Sequence, residues 1–204
     1  FFPAGFYYKT FMWPPSFWYK IYEPFIRMAA GFGEASIKHD KERYEHKYEY
    51  CDLLVTGSGP SGLASAYAAA KNGARVILAE DKPRYGGSLL TSDVNIGNQT
   101  GVEWSEKIIA ELKSMSNVTV KNRSQVFGYY DHNMLVMSER ISDHLPKTQK
   151  YLPKQRLWYI RANEVLISSG SIERPVVFGN NDTPGVMLSS AAKEYMKVYG
   201  VLVG

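Results

Sequence analysis

Cysteine is almost absent from this chain of 204 residues, in which Cys51 stands alone. A single cysteine excludes an internal disulfide and any C-x-x-C redox or zinc pair. Histidine is also scarce, and none of the histidines has the spacing of metal ligands. We therefore predict no metal site and expect solvated or hydrogen-bonded side chains at His39, His46, His132 and His144.

Long apolar runs are missing as well. No stretch of about 18 apolar residues is present, so no membrane span is predicted. The first residues lack the basic-then-apolar pattern of a signal peptide, and a cytoplasmic location is the default expectation. The formal net charge of +4 is mild, and no basic cluster interleaved with stacking aromatics predicts a nucleic-acid partner.

The usual catalytic patterns are also lacking. Ser58 and Ser61 lie in the wrong frame for a G-x-S-x-G nucleophile elbow, and no Walker lysine follows the glycine-rich turn. Asp131-His132 is better explained as the turn of a hairpin than as a catalytic pair. The sequence therefore predicts no general acid, base or nucleophile.

Aromatic residues are abundant, at 14% of the chain, and they concentrate in residues 1–33. Prolines in this segment predict that no long helix forms before Glu23, with a short helix from Pro24 to Ala30. So much aromatic surface is expected to pack on the body of the protein or on another chain of the same assembly. We predict an aromatic-rich arm and charged linker over 1–48, followed by a dinucleotide-binding domain over 49–204.

The most informative stretch runs from Cys51 to Asp81. It contains an apolar strand around residues 53–55, the glycine turn GSGPSG, a helix over 60–71, a strand over 75–79, and then Glu80. This order of strand, G-x-G-x-x-G, helix, strand and acid is typical of dinucleotide-binding units.

Each glycine of the turn has a physical role. Gly57 allows a sharp exit from the strand, Gly59 lets a diphosphate approach the backbone, and Gly62 lets the helix pack closely on the sheet. Unpaired N–H groups at the helix start attract an anion. Glu80, about 20 residues on, can accept from both hydroxyls of an adenosine ribose. The alternative is a structural turn that has lost its ligand.

The Gly86-Gly87 pair follows Glu80 in the chain. It indicates either a main chain that lies close to a ligand or simply a turn. Lys82 and Arg84 are candidates for phosphate contacts, with solvated side chains as the alternative. Because Glu80 would repel a 2′-phosphate, we expect an unphosphorylated ribose.

The remaining pattern completes an α/β fold. We predict a helix over 102–115, a strand over 117–120, paired strands over 125–130 and 134–140, two further strands over 155–161 and 163–167, and a helix from 191 to Gly200.

Several longer stretches carry a resemblance to a known family, and two of them, around residues 126–133 and 172–187, are far more specific than the glycine turn. The stretches are YKTFMWPPSFW (8–18), RYEHKYEYCDLLVTGSGPSGLASA (43–66), GGSLL (86–90), VFGYYDHN (126–133), QRLWYIRANEVLISSGSIERPVVFGNNDTPGVM (155–187) and AAKEYMKVYGV (191–201). In these motifs the chain resembles the alpha subunits of heterotetrameric sarcosine oxidases over nearly its whole length.

The resemblance implies the first lobe of a two-dinucleotide-binding, glutathione-reductase-like module. This is a Rossmann-like parallel sheet with a β-meander, incomplete because the second lobe is missing, and preceded by the aromatic arm. It also implies NAD in this lobe, with FAD and FMN elsewhere in the assembled enzyme. The implied partners are the remainder of the alpha chain and the beta, gamma and delta subunits.

Cofactor-binding positions follow by resemblance. They are Gly57, Gly59, Pro60, Ser61 and Gly62 around the diphosphate, Glu80 and Asp81 at the ribose, Lys82, Gly87 and Ser88 beside the nucleotide, Val126 near the adenine, and Ser169 and Gly170 after the last strand.

Three functions remain open at this point. The first is an NAD-binding part of a sarcosine oxidase, which oxidatively demethylates sarcosine to glycine on flavins in or at the beta subunit. The second is an FAD-binding subunit of a related proline or opine dehydrogenase, since the glycine turn does not separate the two cofactors. The third is an assembly piece that binds no nucleotide.

Overall fold

A computed structural model of the chain describes residues 13–31, 33, 35–146, 151–181 and 183–203. The chain divides into two compact units, residues 1–41 and 42–204.

The first unit contains a π-helical turn, Trp18–Tyr22, followed directly by α1, Glu23–Ala29. Pro24 lies in the first turn of α1, a position that its fixed φ favours. The predicted short helix is confirmed, but the chain is already helical at Trp18, ahead of the expected start. Residues 1–12 of the aromatic arm lie outside the described residues.

The second unit begins with a long strand, β1, Tyr44–Thr56. The sequence predicted a charged linker that extends to residue 48. That prediction is wrong for residues 44–48, which belong to β1. They are strand because they pair in parallel with the start of the last strand, β8, Gln155–Ile167. The charged composition of this stretch reflects exposed strand positions rather than an absence of structure.

The predicted βαβ unit is confirmed. After β1 come α2, Pro60–Lys71, and β2, Val76–Ala79. Gly73 has a φ of 86°, in the left-handed region that glycine adopts after a helix. The next long helix, α3, Gly101–Ser114, starts with a capping box.

The hairpin is also confirmed, while β8 differs from expectation. β6, Ser124–Tyr130, and β7, Met134–Arg140, flank a turn in which His132 has a φ of 58°. β8 is one continuous strand rather than two, because Ala162 continues the ladder opposite Cys51.

The other elements are β3, Asn95–Ile96, β4, Gln99–Thr100, β5, Val118–Lys121, a 3₁₀ turn at Gly87–Leu90 and α4, Ser189–Tyr199.

Six strands form one sheet in the order β5-β2-β1-β8-β7-β6. The neighbours from β5 to β8 are parallel, and β8, β7 and β6 are antiparallel. This is the predicted α/β fold, a parallel sheet extended by a meander. The start of the meander lies at the carboxyl end of β2, because Ser124 N–H donates to the carbonyl of Glu80 at 2.8 Å.

Two apolar clusters hold this unit together. One joins the sheet to α2 and α3 and contains Val55, Leu63, Ala66, Ala70, Val76, Leu78, Ile108, Ile109 and Leu112. The other joins β1 and β2 to β7 and β8 and contains Cys51, Leu54, Ile77, Ala79, Leu135, Met137, Trp158, Ile160 and Ala162. The glycine turn lies at the carboxyl end of β1, where both clusters fix the flanking elements.

Candidate functional site

The glycine turn after β1 depends on two glycines that have no room for a side chain. Gly57 has a φ of 99°, and a Cβ added there would overlap the carbonyl oxygen of Ser168. A Cβ added at Gly62 would overlap the carbonyl oxygen of Gly57 and lie 2.6 Å from Ser168 Oγ. These contacts hold the start of α2 directly against the ends of β1 and β8.

The third glycine is different, because the space around it is open. A Cβ added at Gly59 would have no atom within 4 Å. Gly59 is the N-cap of α2, no side chain caps the helix, and its first turn contains no acidic residue. The first N–H groups of a helix have no partner within the helix and carry partial positive charge. An anion can therefore approach the main chain at Gly59, Pro60, Ser61 and Gly62.

The Gly86-Gly87 segment lies directly on this turn. Gly86 N–H donates to the carbonyl of Ser58 at 3.1 Å. Gly87 has a φ of 54°, and a Cβ added there would lie 2.8 Å from the Cα of Gly59. The structure thus brings Gly87 next to the Cα of Gly59, and Ser88 follows it in the chain.

Glu80 is held against the same turn. It is 9% exposed and follows β2, as the pattern predicted. Its Oε2 accepts from the N–H and the hydroxyl of Ser58, at 2.8 and 2.6 Å. Its Oε1 accepts from Lys82 N–H at 2.9 Å. The carboxylate is therefore fixed beside the helix start rather than free in solvent.

The charged neighbours of Glu80 are engaged in ion pairs. Lys82 Nζ lies 2.7 Å from Glu194 of α4, and this hydrogen bond raises the pKa of the lysine. Asp81 lies 3.0 Å from the guanidinium of Arg140 in β7. Lys82 therefore contributes its main-chain N–H to the site, while its ammonium group already has a carboxylate partner.

The remaining predicted positions lie farther from the turn or are exposed. Val126, in β6, is half-buried and packs against the cluster of apolar residues that contains Cys51. Ser169 and Gly170 are exposed after β8. Ser168 makes the polar contact with the glycine turn there, because its hydroxyl lies 3.0 Å from the carbonyl oxygen of Gly57. A Cβ added at Gly57 would also lie 3.2 Å from the Cα of Ser169.

Sequence reasoning missed three residues of this region, Ser58, Ser168 and Arg140. The motif leaves the position of Ser58 unspecified, so the hydrogen bonds of its side chain carry no sequence signal. Arg140 is distant in sequence from Asp81, and only the return of the meander brings the two together.

The structure also bears on three other roles, namely a nucleophilic cysteine, a metal site and a membrane-spanning helix. Cys51 is buried, and desolvation raises the pKa of its thiol to about 12, so it is not a nucleophile. Over the parts of the chain that the structure describes, no group of three or more His, Cys, Asp or Glu side chains is placed to hold a metal ion. In the same residues, no helix combines the length and apolarity that crossing a membrane requires.

Comparison with known proteins identifies the relatives of this chain. Residues 52–149 match the family described as FAD dependent oxidoreductase. The chain is 47% identical over 201 residues to the sarcosine oxidase alpha subunit of Rhizobium meliloti (strain 1021), covering 98% of this chain and 20% of that protein. It is 27% identical over 159 residues to the opine oxidase A-subunit of Agrobacterium tumefaciens (strain Ach5), covering 76% of this chain and 30% of that protein.

A solved structure has the same fold. The crystal structure of L-proline dehydrogenase from P. horikoshii superposes with a TM-score of 0.62 at 22% identity, covering 84% of this chain and 32% of that one. The predicted similarity to sarcosine oxidase alpha subunits is confirmed by the identity over nearly the whole chain. The chain is therefore a homologue of the sarcosine oxidase alpha subunits, spans about a fifth of the length of the Rhizobium meliloti relative (20%), and is similar to the FAD dependent oxidoreductase family over residues 52–149.

Proposed function

We propose that this chain binds the ADP part of a dinucleotide cofactor within the alpha subunit of a sarcosine-oxidising oxidoreductase. The observation that carries this proposal is the uncapped start of α2 beside the open face of Gly59. A diphosphate fits there because main-chain N–H groups point at it and no side chain competes for them.

The ribose would lie between the helix start and Glu80. The carboxylate is buried and faces the glycine turn through Ser58, so a ribose attached to the diphosphate is within its reach. Gly87 and Ser88 would flank the diphosphate, and Val126 of the meander would lie near the adenine. Asp81, Ser169 and Gly170 are proposed at the edges of the site.

NAD is the first candidate for the cofactor. FAD is the second, favoured by the match of residues 52–149 to the FAD dependent oxidoreductase family. Both share the ADP part, so the residues above serve either one. Either cofactor, when bound, can carry the electron pair of a redox reaction.

This chain would contribute binding and orientation rather than acid–base catalysis. The residues of the glycine turn and Glu80 hold the cofactor, and Cys51 is buried and protonated. We propose that oxidation of sarcosine takes place on flavins in or at a beta subunit, with gamma and delta subunits and the rest of the alpha chain completing the assembly.

A related activity is the second candidate function. The relationship to the opine oxidase A-subunit favours oxidation of another secondary amine, such as an opine or proline, by an assembly with FAD in this site. A third possibility is an assembly piece that no longer binds nucleotide.

One experiment separates these functions. The purified full-length protein is denatured, and the released small molecules are examined by absorbance and mass spectrometry. NAD without flavin from this site supports the first proposal, and FAD released in its place supports the second. If a well-folded protein releases neither and shows no heat on titration with NAD or FAD, the binding proposal is wrong.

A further inference from the structure

The first half of β1 has a neighbouring strand on one side only. Residues 44–51 pair in parallel with β8, whereas β2 pairs with β1 only from Leu53 onward. Among the described residues, no other strand pairs with residues 44–51. An edge of this kind presents a row of main-chain N–H and C=O groups to which a further strand can pair.

Main-chain hydrogen bonds show which residues face this open edge. The carbonyl of Arg43 accepts from Lys154 N–H at 2.7 Å, so it points toward the start of β8. Because the main-chain groups of successive strand residues point to alternate sides, those of His46 point away from β8. Asp52 N–H, an even number of residues further on, donates to the carbonyl of Arg75 on the other side of β1, at 2.9 Å. The open edge therefore presents the main-chain groups of the even-numbered residues.

The charges along this edge are complementary to a second copy of the same edge. The sequence of residues 43–49 is RYEHKYE, and Arg43 lies 3.1 Å from Glu45 on the same face. In an antiparallel pairing centred on His46, Arg43 lies opposite Glu49 of the second copy. Glu45 then lies opposite Lys47 of the second copy, and the two-fold axis repeats both pairs. Opposite charges placed in this way stabilise paired strands.

The neighbouring registers lack this complementarity. Centring the pairing on Lys47 sets Glu45 opposite Glu49, and it sets the two copies of Lys47 opposite each other. Centring it on Glu45 sets Arg43 opposite Lys47. Like charges directly opposite each other destabilise a pair of strands, so the charges favour His46 as the centre over both neighbours.

The same register gives Tyr48 a neighbour on its open side. The ring of Tyr48 stacks on that of Tyr159 in β8, with centroids 5.1 Å apart, yet 81% of Tyr48 is exposed. In the register centred on His46, Tyr44 of the second copy lies opposite Tyr48 on the same face of the joined sheet. Aromatic pairs opposite each other also stabilise paired strands, so the stack would continue across the interface.

We propose that the open edge of β1 is a self-association surface, at which a second copy of this chain pairs antiparallel about His46 and joins the two sheets into one. A second copy is the occupant because the charged positions and the tyrosine stack match in a single register. This association goes beyond the proposed binding of a cofactor and does not depend on it.

The test counts the copies of this chain in each particle of the full-length protein. Native mass spectrometry gives the number, and sedimentation over a concentration series gives the Kd of self-association. We expect two copies per particle, which separate on dilution. Glu49→Arg sets arginine opposite Arg43, and Arg43→Glu sets glutamate opposite Glu49. Each variant alone should therefore have a Kd about tenfold higher than the wild type, because two attractive pairs become repulsive.

Mixing the two variants is the decisive step. A particle with one copy of each again has opposite charges at both pairs, so the mixture should associate with a Kd close to that of the wild type. Glu164→Arg makes the same change of charge at an exposed position of β8 away from the edge, and it should leave the Kd unchanged.

The outcomes that contradict the proposal are distinct. A single copy per particle at every concentration overturns it, and this is also the result expected if another subunit or another segment covers the edge. A dimer whose Kd is unaffected by both edge variants overturns the proposed register. Weakened variants whose mixture fails to associate overturn it as well.

Discussion

The Cα of Gly62 faces the carbonyl oxygen of Gly57 so closely that a Cβ on Gly62 would overlap it. This one approach places the first turn of α2 against the end of β1, with its N–H groups facing the open side of Gly59. The geometry of the proposed anion site therefore depends on a contact between two main-chain segments.

Gly62→Ala should consequently destabilise the fold. The new methyl group meets backbone rather than a movable side chain, and overpacking of this kind costs about 3 kcal/mol. Urea unfolding should show the loss as a lower midpoint. Gly179→Ala is the control, because a Cβ added there has no atom within 4 Å and its backbone is outside the left-handed region. Equal midpoints for Gly62→Ala and the wild type would contradict the packing described.

Glu80→Ala should weaken NAD binding by about 1–3 kcal/mol, because the ribose loses a charged acceptor. Isothermal titration of NAD measures the change. Asp93→Asn serves as the control, since Asp93 is an exposed carboxylate that pairs with Lys197 and lies outside the proposed site. Wild-type affinity in Glu80→Ala would remove Glu80 from the site.

Lys82→Met should change NAD affinity less than about threefold. The ammonium group is bound to Glu194 and partly exposed, and such surface pairs contribute less than about 1 kcal/mol. The same titration at low and moderate salt is the measurement. A loss of tenfold or more would show that the ammonium contacts a phosphate in spite of Glu194.

Stability should decline in alkali because of Cys51. Burial raises the pKa of its thiol from 9.0 to about 12. The unfolded thiol therefore releases its proton at lower pH than the folded one, and the stabilisation is complete below pH 9 and is lost as pH rises toward 12. Cys51→Ala should show a shallower decline of the unfolding free energy between about pH 8.5 and 10. If the unfolding free energies of both proteins depended on pH identically, Cys51 would not be the cause of the decline.

The sequence predicted those elements that local patterns determine. The βαβ unit, the hairpin and α3 each have a strong signal, namely the glycine turn, a three-residue turn and apolar residues at helical spacing. The length of β1 was missed because the residues between 44 and 48 are exposed and charged, and only their pairing with β8 makes them strand. Pairing between segments so distant in sequence is not visible in local composition.

For the site, the sequence identified the residues required by main-chain geometry. Gly57 and Gly62 have no space for a Cβ, and Gly59 faces open space, as the motif implies. Side-chain partners were less predictable. Ser58 occupies a position that the motif does not specify, and the ion pair between Lys82 and Glu194 depends on where α4 lies.

Gly59 offers the most direct test, because the space in front of it is open. Gly59→Val should fold as the wild type does, since its side chain meets no protein atom at the Cβ position, yet the side chain would occupy the place of the diphosphate. The measurement is the amount of NAD or FAD that each purified full-length protein releases on denaturation, and a cooperative unfolding transition of each protein after removal of nucleotide shows that it is folded. We predict one dinucleotide fewer per chain in Gly59→Val. Equal amounts from the variant and the wild type would contradict the proposed binding of the diphosphate at this turn.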